Sequence, residues 1–319
     1  MTKILLTGSA GFVFSNMLLY FQQHTNYEII SVDKLTDAGS LLNIGYNPNV
    51  QTRRHRFYLG DIADYEFVSK LFDIEKPDIV INGAASSHVD NSIQNSREFV
   101  FSNVVGVHSM LEAIRSVHCP ERFIQFSTDE VYEQILSGSS LENDKMAPRN
   151  PYSATKGAAD LLCQSYISTY DLPITITRCC NIFGGRQNKE KMIPRCITNL
   201  LQDKKCEVFG KGLQEREWIF VKDVFFALQT IIQSGKNKEI YNIGSAVDIK
   251  NIDLVKKIIE VMGKDERMIE FIPDRLGHDF RYSLNCDKIK KLGWNPKYEF
   301  DEALKYVVGW YKKNTWSWK

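Results

Sequence analysis

The amino-acid sequence predicts an α/β protein: a doubly wound parallel sheet with a second, smaller α/β unit attached. Three observations point there. Short apolar, β-branched runs alternate with amphipathic stretches through the first half of the chain, and parallel strands need crossover helices between them. The first such run breaks into "TGSAGFVFSN", a glycine turn where a strand hands over to a helix. With 319 residues and 43% hydrophobic content, the chain can bury a large core as one large or two modest domains.

Taken in order, "KILLT", "EIISVD", "RFYLGD", "DIVING", "RFIQFST" and "ITITRC" read as buried strands. Helices are expected over residues 11–23, 64–75, 97–117 and 153–170, where apolar positions recur on one face. Beyond Arg178 the rhythm turns irregular, with helices over 194–201 and 223–234, a strand at "EIYNIG", and helices over 252–262 and 300–313. Residues 1–180 are therefore expected to form the larger domain and 181–319 mainly the smaller one. Segments near 217–245 are candidates for returning to the main sheet.

Forty Lys and Arg against 39 Asp and Glu leave a formal charge of +1. No global field favours nucleic acid or an acidic membrane, so neither is expected as a partner, and any anion must be bound locally. The seven cysteines include the adjacent Cys179 and Cys180 but no CxxC spacing. Their odd number argues against a full disulfide framework, so buried free thiols and no metal are expected. The N-terminal "MTKILLTG" enters a strand directly, and no run approaches the ~20 apolar residues of a membrane span. A soluble, cytoplasmic protein is expected.

The chemistry concentrates at strand ends. Gly8 and Gly11 would let backbone N–H groups approach a pyrophosphate at the positive end of the first helix. At the third glycine position of such turns stands Phe14, so either the motif is accidental or that position serves only packing. Asp33 ends the second strand, where a carboxylate can accept both ribose hydroxyls of NAD and repel a 2′-phosphate. Asp61 follows the third. Tyr152 and Lys156, four residues apart in "NPYSATK", share a helix face. A phenol titrating near ~10 must be stabilised as its anion by about 4 kcal/mol to act as a base at neutrality, and a neighbouring lysine cation acts in that direction. In "FSTDEVY", Thr128, Asp129 and Glu130 fall at the C-terminal end of a buried strand, where open α/β sheets bind ligands. Adjacent carboxylates can merely cap a loop. With divergent pKa values they can instead supply an acid for a departing hydroxyl and a base for a carbon-bound proton, which is elimination chemistry.

The ordered stretches "LLTGSAGFVFSN", "VDKLTDAGSLLNI", "GDIAD", "SSHVDNSI", "NVVGVHSMLEA", "STDEVY", "NPYSATK", "EKMIP", "REWIFVKDV", "YNIGS" and "DRLGHDFRY" with "KIKKLGW" cover nearly the whole chain. Together they resemble the extended short-chain dehydrogenase/reductases, and specifically the nucleoside-diphosphate-glucose 4,6-dehydratases. Three departures stand out: Phe14, where relatives commonly carry Gly or Ala; Glu133, usually Gly; and Asp37, usually aromatic.

The resemblance implies a Rossmann-type domain over 1–180 holding NAD, with Gly8, Gly11, Phe12, Val13, Asp33, Lys34, Asp61, Ile62, Ala84, Ala85, Ser102, Tyr152 and Lys156 around the cofactor. It implies a substrate site of Ser87, Thr128, Asn181, Lys191, Val208, Phe209, Arg216, Asn251, Arg275 and His278, mainly from the smaller domain. Arg216 and Arg275 suit a diphosphate through bidentate pairing. Without the resemblance, either arginine reads as a surface ion pair and His278 as a core or loop histidine. The implied reaction is oxidation at C4 by NAD, loss of water across C5/C6, and hydride return to C6. Tyr152 would take the 4-hydroxyl proton with Thr128 bonding that oxygen, Lys156 would support the phenolate, Glu130 would remove the C5 proton, and Asp129 would protonate the departing 6-hydroxyl. UDP-glucose is the expected substrate, on the analogy of Asn91 in "SSHVDNSI" with UDP-glucose enzymes that lead toward rhamnose; dTDP-glucose is the alternative. A homodimer is expected, built from the helices over 97–117 and 153–170. A sugar 4-epimerase or a non-catalytic NAD-sensing protein would share the fold, but neither needs the Asp129 and Glu130 pair.

Overall fold

A computed structural model describes residues 1–36, 38–45, 54–274 and 278–318. Asp37 and Arg275 therefore lie outside the described residues. Seven parallel strands form the main sheet: β1 (Lys3–Thr7), β2 (Glu28–Asp33), β3 (His55–Leu59), β4 (Ile79–Asn82), β5 (Arg122–Thr128), β6 (Ile174–Cys179) and β10 (Ile240–Ile243). Their spatial order is β10-β6-β5-β4-β1-β2-β3, so the chain reverses direction of winding between β1 and β4. The carboxyl ends of β1, β2, β4, β5 and β6 all open on one edge, the crevice where doubly wound sheets bind ligands.

Alternating side chains supply two cores. Ile4 and Leu6 of β1 face one layer, where α1 (Phe12–His24) and α8 (Val221–Ser234) contribute Met17, Phe21, Val224 and Leu228. Leu5 faces the other, packed by α2 (Tyr65–Glu75), α5 (Gly106–Ser116) and α6 (Pro151–Tyr170) through Leu71, Met110, Ile114 and Cys163. This is the Rossmann-type fold.

The helix expected over 97–117 is broken into α4 (Arg97–Val100), a π-helical segment Phe101–Val105 and α5. The wider π turn coincides with the inward-facing Ser102 and Asn103, both buried. A short α3 (Val89–Gln94) precedes it. After β6 the chain adds strands that the sequence rhythm did not signal. β7 (Asn181–Phe183), β9 (Glu215–Phe220) and β11 (Asp248–Lys250) make one small sheet, and β8 (Cys206–Phe209) pairs with β12 (Ile269–Ile272) in another. Helices α7 (Met192–Leu201), α9 (Asn251–Val261), α10 (Asp287–Lys290) and α11 (Phe300–Lys313) surround them.

The expectation of buried free thiols needs correction. Cys196 on α7 and Cys206 on β8 form a disulfide, because the two elements pack with the Cα atoms 5.0 Å apart. A spacing of ten residues carries no hint of that approach. Cys119 is free but exposed, while Cys163, Cys179, Cys180 and Cys286 are buried thiols. Among the described residues no helix is long and apolar enough to cross a membrane.

Candidate active site

Every described residue of the expected site lines one continuous cavity, which runs from the glycine turn across the end of β5 to β8, β9 and α9. At one end Gly8 has φ +67°, and a Cβ there would meet Ala84 N and Gly83 O at 2.8 Å. Glycine is thus needed both for the turn and for its close approach to the chain after β4. The N-terminus of α1 has no side-chain cap and no acidic residue in its first turn, which leaves its backbone N–H groups to an anion. Asp33 accepts from Ala10 N at 2.9 Å and Leu35 N at 2.8 Å; burial pushes its carboxyl up and these N–H groups pull it back. Lys34 Nζ bonds Asp61 Oδ2 at 3.3 Å and Ser102 Oγ at 3.0 Å, which joins three expected cofactor residues in one polar cluster. The cradle, the open helix end and the acidic end of β2 fit NAD.

Phe14 fills a place of its own. Its ring is 3% exposed and meets Phe126 edge-on at 5.2 Å, and it occupies the space that a Cβ on Gly83 would need. Glycine at 83 takes over what glycine at 14 would have provided. Glu133 is exposed and is not among the positive-φ residues, so its backbone asks nothing of glycine.

At the centre, β5 ends in Thr128 and a single 3-10 turn, Asp129–Val131. Thr128 Oγ1 donates to Asp129 Oδ1 at 3.0 Å, whereas Asp129 Oδ2 is buried with no hydrogen-bond partner. Burial, then the Glu130 and Glu217 carboxylates, push Asp129 well above the usual range. Burial also raises Glu130, but the Arg216 and Lys191 cations and Asn150, whose Nδ2 is 3.4 Å from Glu130 Oε2, oppose the rise. Both carboxyls are thus raised, with Asp129 held well above its usual range and the rise at Glu130 tempered by the two cations and the amide.

Tyr152 and Lys156 enter from α6, whose start is fixed by an Asn150/Ser153 capping box with Pro151 at its first position. Burial drives the Tyr152 phenol far up, the Glu130 and Asp129 carboxylates add to the rise, and a hydrogen bond with Thr128 lowers it. Lys156, expected as a supporting cation beside the phenol, lines the same cavity. Lys156 Nζ donates to Phe126 O at 2.6 Å, its long stem carrying the ammonium to the end of β5, and burial lowers its pKa while Asp160 opposes.

On the far side, Lys191 donates to Ser87 O at 2.7 Å, and His278 Nδ1 pairs with Asp274 at 2.6 Å. Arg216, read from sequence alone as a surface ion pair, instead donates to the carbonyls of Glu215, Asp279 and Phe280. Asn251 Oδ1 is buried on the cavity wall without a partner. Sequence reasoning missed Asn150, Arg195, Glu207 and Asp279 on the same wall. Of these only Asn150 left a signal, as an Asn-Pro helix start.

A Rossmann-type sheet with an NAD cradle, a Tyr/Lys helix face and two adjacent buried carboxyls raised to different degrees defines an NAD-dependent lyase of the extended short-chain dehydrogenase/reductase type. The comparisons agree with that class. Residues 5–307 match the model of the family described as GDP-mannose 4,6 dehydratase, and the chain belongs to it. It is 45% identical over 311 residues to the low-salt glycan biosynthesis protein Agl12 of Haloferax volcanii, covering 97% of this chain and 98% of that one. It is 38% identical to the dTDP-D-glucose 4,6-dehydratase of Homo sapiens, covering 99% and 92%. Among solved structures, DesIV, a dTDP-glucose 4,6-dehydratase from Streptomyces venezuelae with NAD and TYD bound, superposes with a TM-score of 0.94 at 34% identity, covering 100% and 99%. The chain is an NAD-dependent nucleoside-diphosphate-sugar 4,6-dehydratase, a hydro-lyase.

Proposed function

We propose that the protein converts dTDP-glucose to dTDP-4-keto-6-deoxyglucose, a deoxysugar precursor, with UDP-glucose as a second substrate. The observation that carries the elimination step is the Asp129 and Glu130 pair, adjacent in sequence and both raised by burial, with Asp129 held well above its usual range and the Arg216 and Lys191 cations opposing the rise at Glu130. Tyr152 takes the proton from the 4-hydroxyl, with Thr128 bonding that oxygen. Bound NAD supplies the reversible redox chemistry that makes C4 a ketone and leaves C6 reduced. The ketone acidifies the C5 proton, Glu130 removes it, and Asp129 protonates the 6-hydroxyl as it leaves.

Relatives named for dTDP-glucose support the thymine nucleotide. Asn91, on which an expectation of UDP-glucose rests, is exposed on α3 and is not a cavity residue. The two bases differ by one methyl, worth about 10 to 200 fold in specificity, so both nucleotides are expected to react. Parallel initial rates with dTDP-glucose and UDP-glucose, with and without added NAD, test this by the appearance of the 4-keto product. A higher kcat/KM for UDP-glucose would reverse the nucleotide order. A product that keeps its 6-hydroxyl would reject dehydration, and Tyr152→Phe is expected to form no product at all.

We also propose that residues 1–180 mainly hold NAD and 181–319 mainly the nucleotide sugar. A homodimer through the helices over 97–116 and α6 fits their exposed Val100, Phe101, Leu161 and Tyr170.

A further inference from the structure

The wall of the cavity farthest from the glycine turn is held by a double link between two elements. Cys196 of α7 is bonded to Cys206 of β8, and the residues beside them, Arg195 and Glu207, form an ion pair. All but Cys206 of these four line the cavity, and Val208 and Phe209, which also line it, follow Glu207 on β8. Among the described residues strand β8 pairs with β12 in a two-stranded sheet separate from the main one, an arrangement that has little stability of its own. Helix α7 is anchored at its start, where Lys191 reaches across to Ser87 O at 2.7 Å. The disulfide therefore transmits the fixed position of α7 to the strand that presents Val208 and Phe209.

We propose that the Cys196–Cys206 bond positions this wall against the nucleotide, and that its reduction by a thiol reductant weakens nucleotide binding while leaving the bond-making residues on β5 and α6 unchanged. The proposal rests on the nucleotide-sugar reading of the cavity. In the reduction, two equivalents of reductant thiol give up two electrons and two protons. The S–S bond breaks, each cysteine sulfur takes a proton, and the reductant becomes a disulfide. Cys196 lines the cavity itself, so a nucleotide in place shields the bond from the attacking thiolate.

The test is calorimetric binding of dTDP and UDP to the oxidised and dithiothreitol-reduced protein and to the Cys196→Ser/Cys206→Ser double variant. Binding in the reduced and double-variant forms should weaken by about tenfold, the scale of ordering one or two wall side chains on binding. KM should rise in parallel with kcat held within about twofold. Saturating dTDP should slow reduction of the disulfide, and NAD affinity should not change. A purely structural staple would lower the melting temperature with no change in Kd. Equal Kd in oxidised and reduced protein, or free thiols at both positions under non-reducing conditions, overturns the proposal and leaves the dehydratase reading standing. Failure of both forms to bind either nucleotide overturns both. If the double variant does not fold, the oxidised and reduced wild-type proteins still decide.

Discussion

Asp129 and Glu130 are separated by one peptide bond, yet burial and two carboxylates hold Asp129 well above its usual range while two cations and an amide temper the rise at Glu130. Asp129→Asn and Glu130→Gln are each expected to slow dehydration by roughly 10² or more while keeping the fold and bound NAD, the usual scale for a positioned acid or base. Their defects should differ: Glu130→Gln suppresses solvent exchange of the C5 proton, and Asp129→Asn hinders loss of the 6-hydroxyl. Wild-type turnover in both would assign elimination to other groups. A stability signature follows from the same burial. Because the folded protein holds Asp129 well above its unfolded value, its stabilising contribution is complete at low pH and is lost as pH rises through the folded value. The melting temperature of Asp129→Asn should therefore gain on the wild type as pH rises from about 4, the unfolded carboxyl range, read by calorimetry at each pH. That Thr128, Asp129, Glu130, Tyr152 and Lys156 belong to one cavity was legible because strand ends and a four-residue helical spacing are local features. Their electrostatics were not: the Lys156 ammonium turns to Phe126 O, and the charges that bias the pair come from Lys191, Arg216 and Glu217, far along the chain.

At the level of elements, β1, β2, β5 and β6 coincide with the runs read as strands, and α11 with its expected span, since the strands are mostly buried runs bounded by clear turns and α11 keeps one apolar face. Strands β7, β8, β9, β11 and β12 were not legible. They have three to six residues, several are rich in charge, and pairing partners rather than propensity define them. The Phe14 question is settled by an element that the motif does not contain, the turn after β4. Gly83→Ala should destabilise the protein because its Cβ meets the Phe14 ring. Phe14→Ala should cost about 3–5 kcal/mol through the cavity it leaves. Joined in one chain, the two changes should cost less than their sum, and denaturant titrations of the four proteins measure the coupling. Strict additivity would mean that ring and turn do not share that space. NAD binding should survive Phe14→Ala, because Gly8 and the open end of α1 make the cradle.

For the whole molecule, light scattering at micromolar concentration should report a dimer, and Leu161→Glu, a charge on the exposed apolar face of α6, should shift it toward monomer. A wild-type monomer would exclude this assembly. The strand order carries a different consequence, one for the birth of the protein. Strand β6 is flanked by β5 on one side and by β10 on the other, and β10 begins at Ile240, some way along the chain. As the polypeptide emerges from the ribosome, the first six strands can assemble while β6 still presents an unpaired edge, and the residues between Cys179 and Ile240 have yet to appear. The nascent chain therefore passes through an interval with an open, apolar sheet edge. A fragment ending before Ile240 would keep that edge permanently and so be prone to aggregate, whereas in the finished protein a strand from the later half of the gene seals the sheet begun by the earlier half.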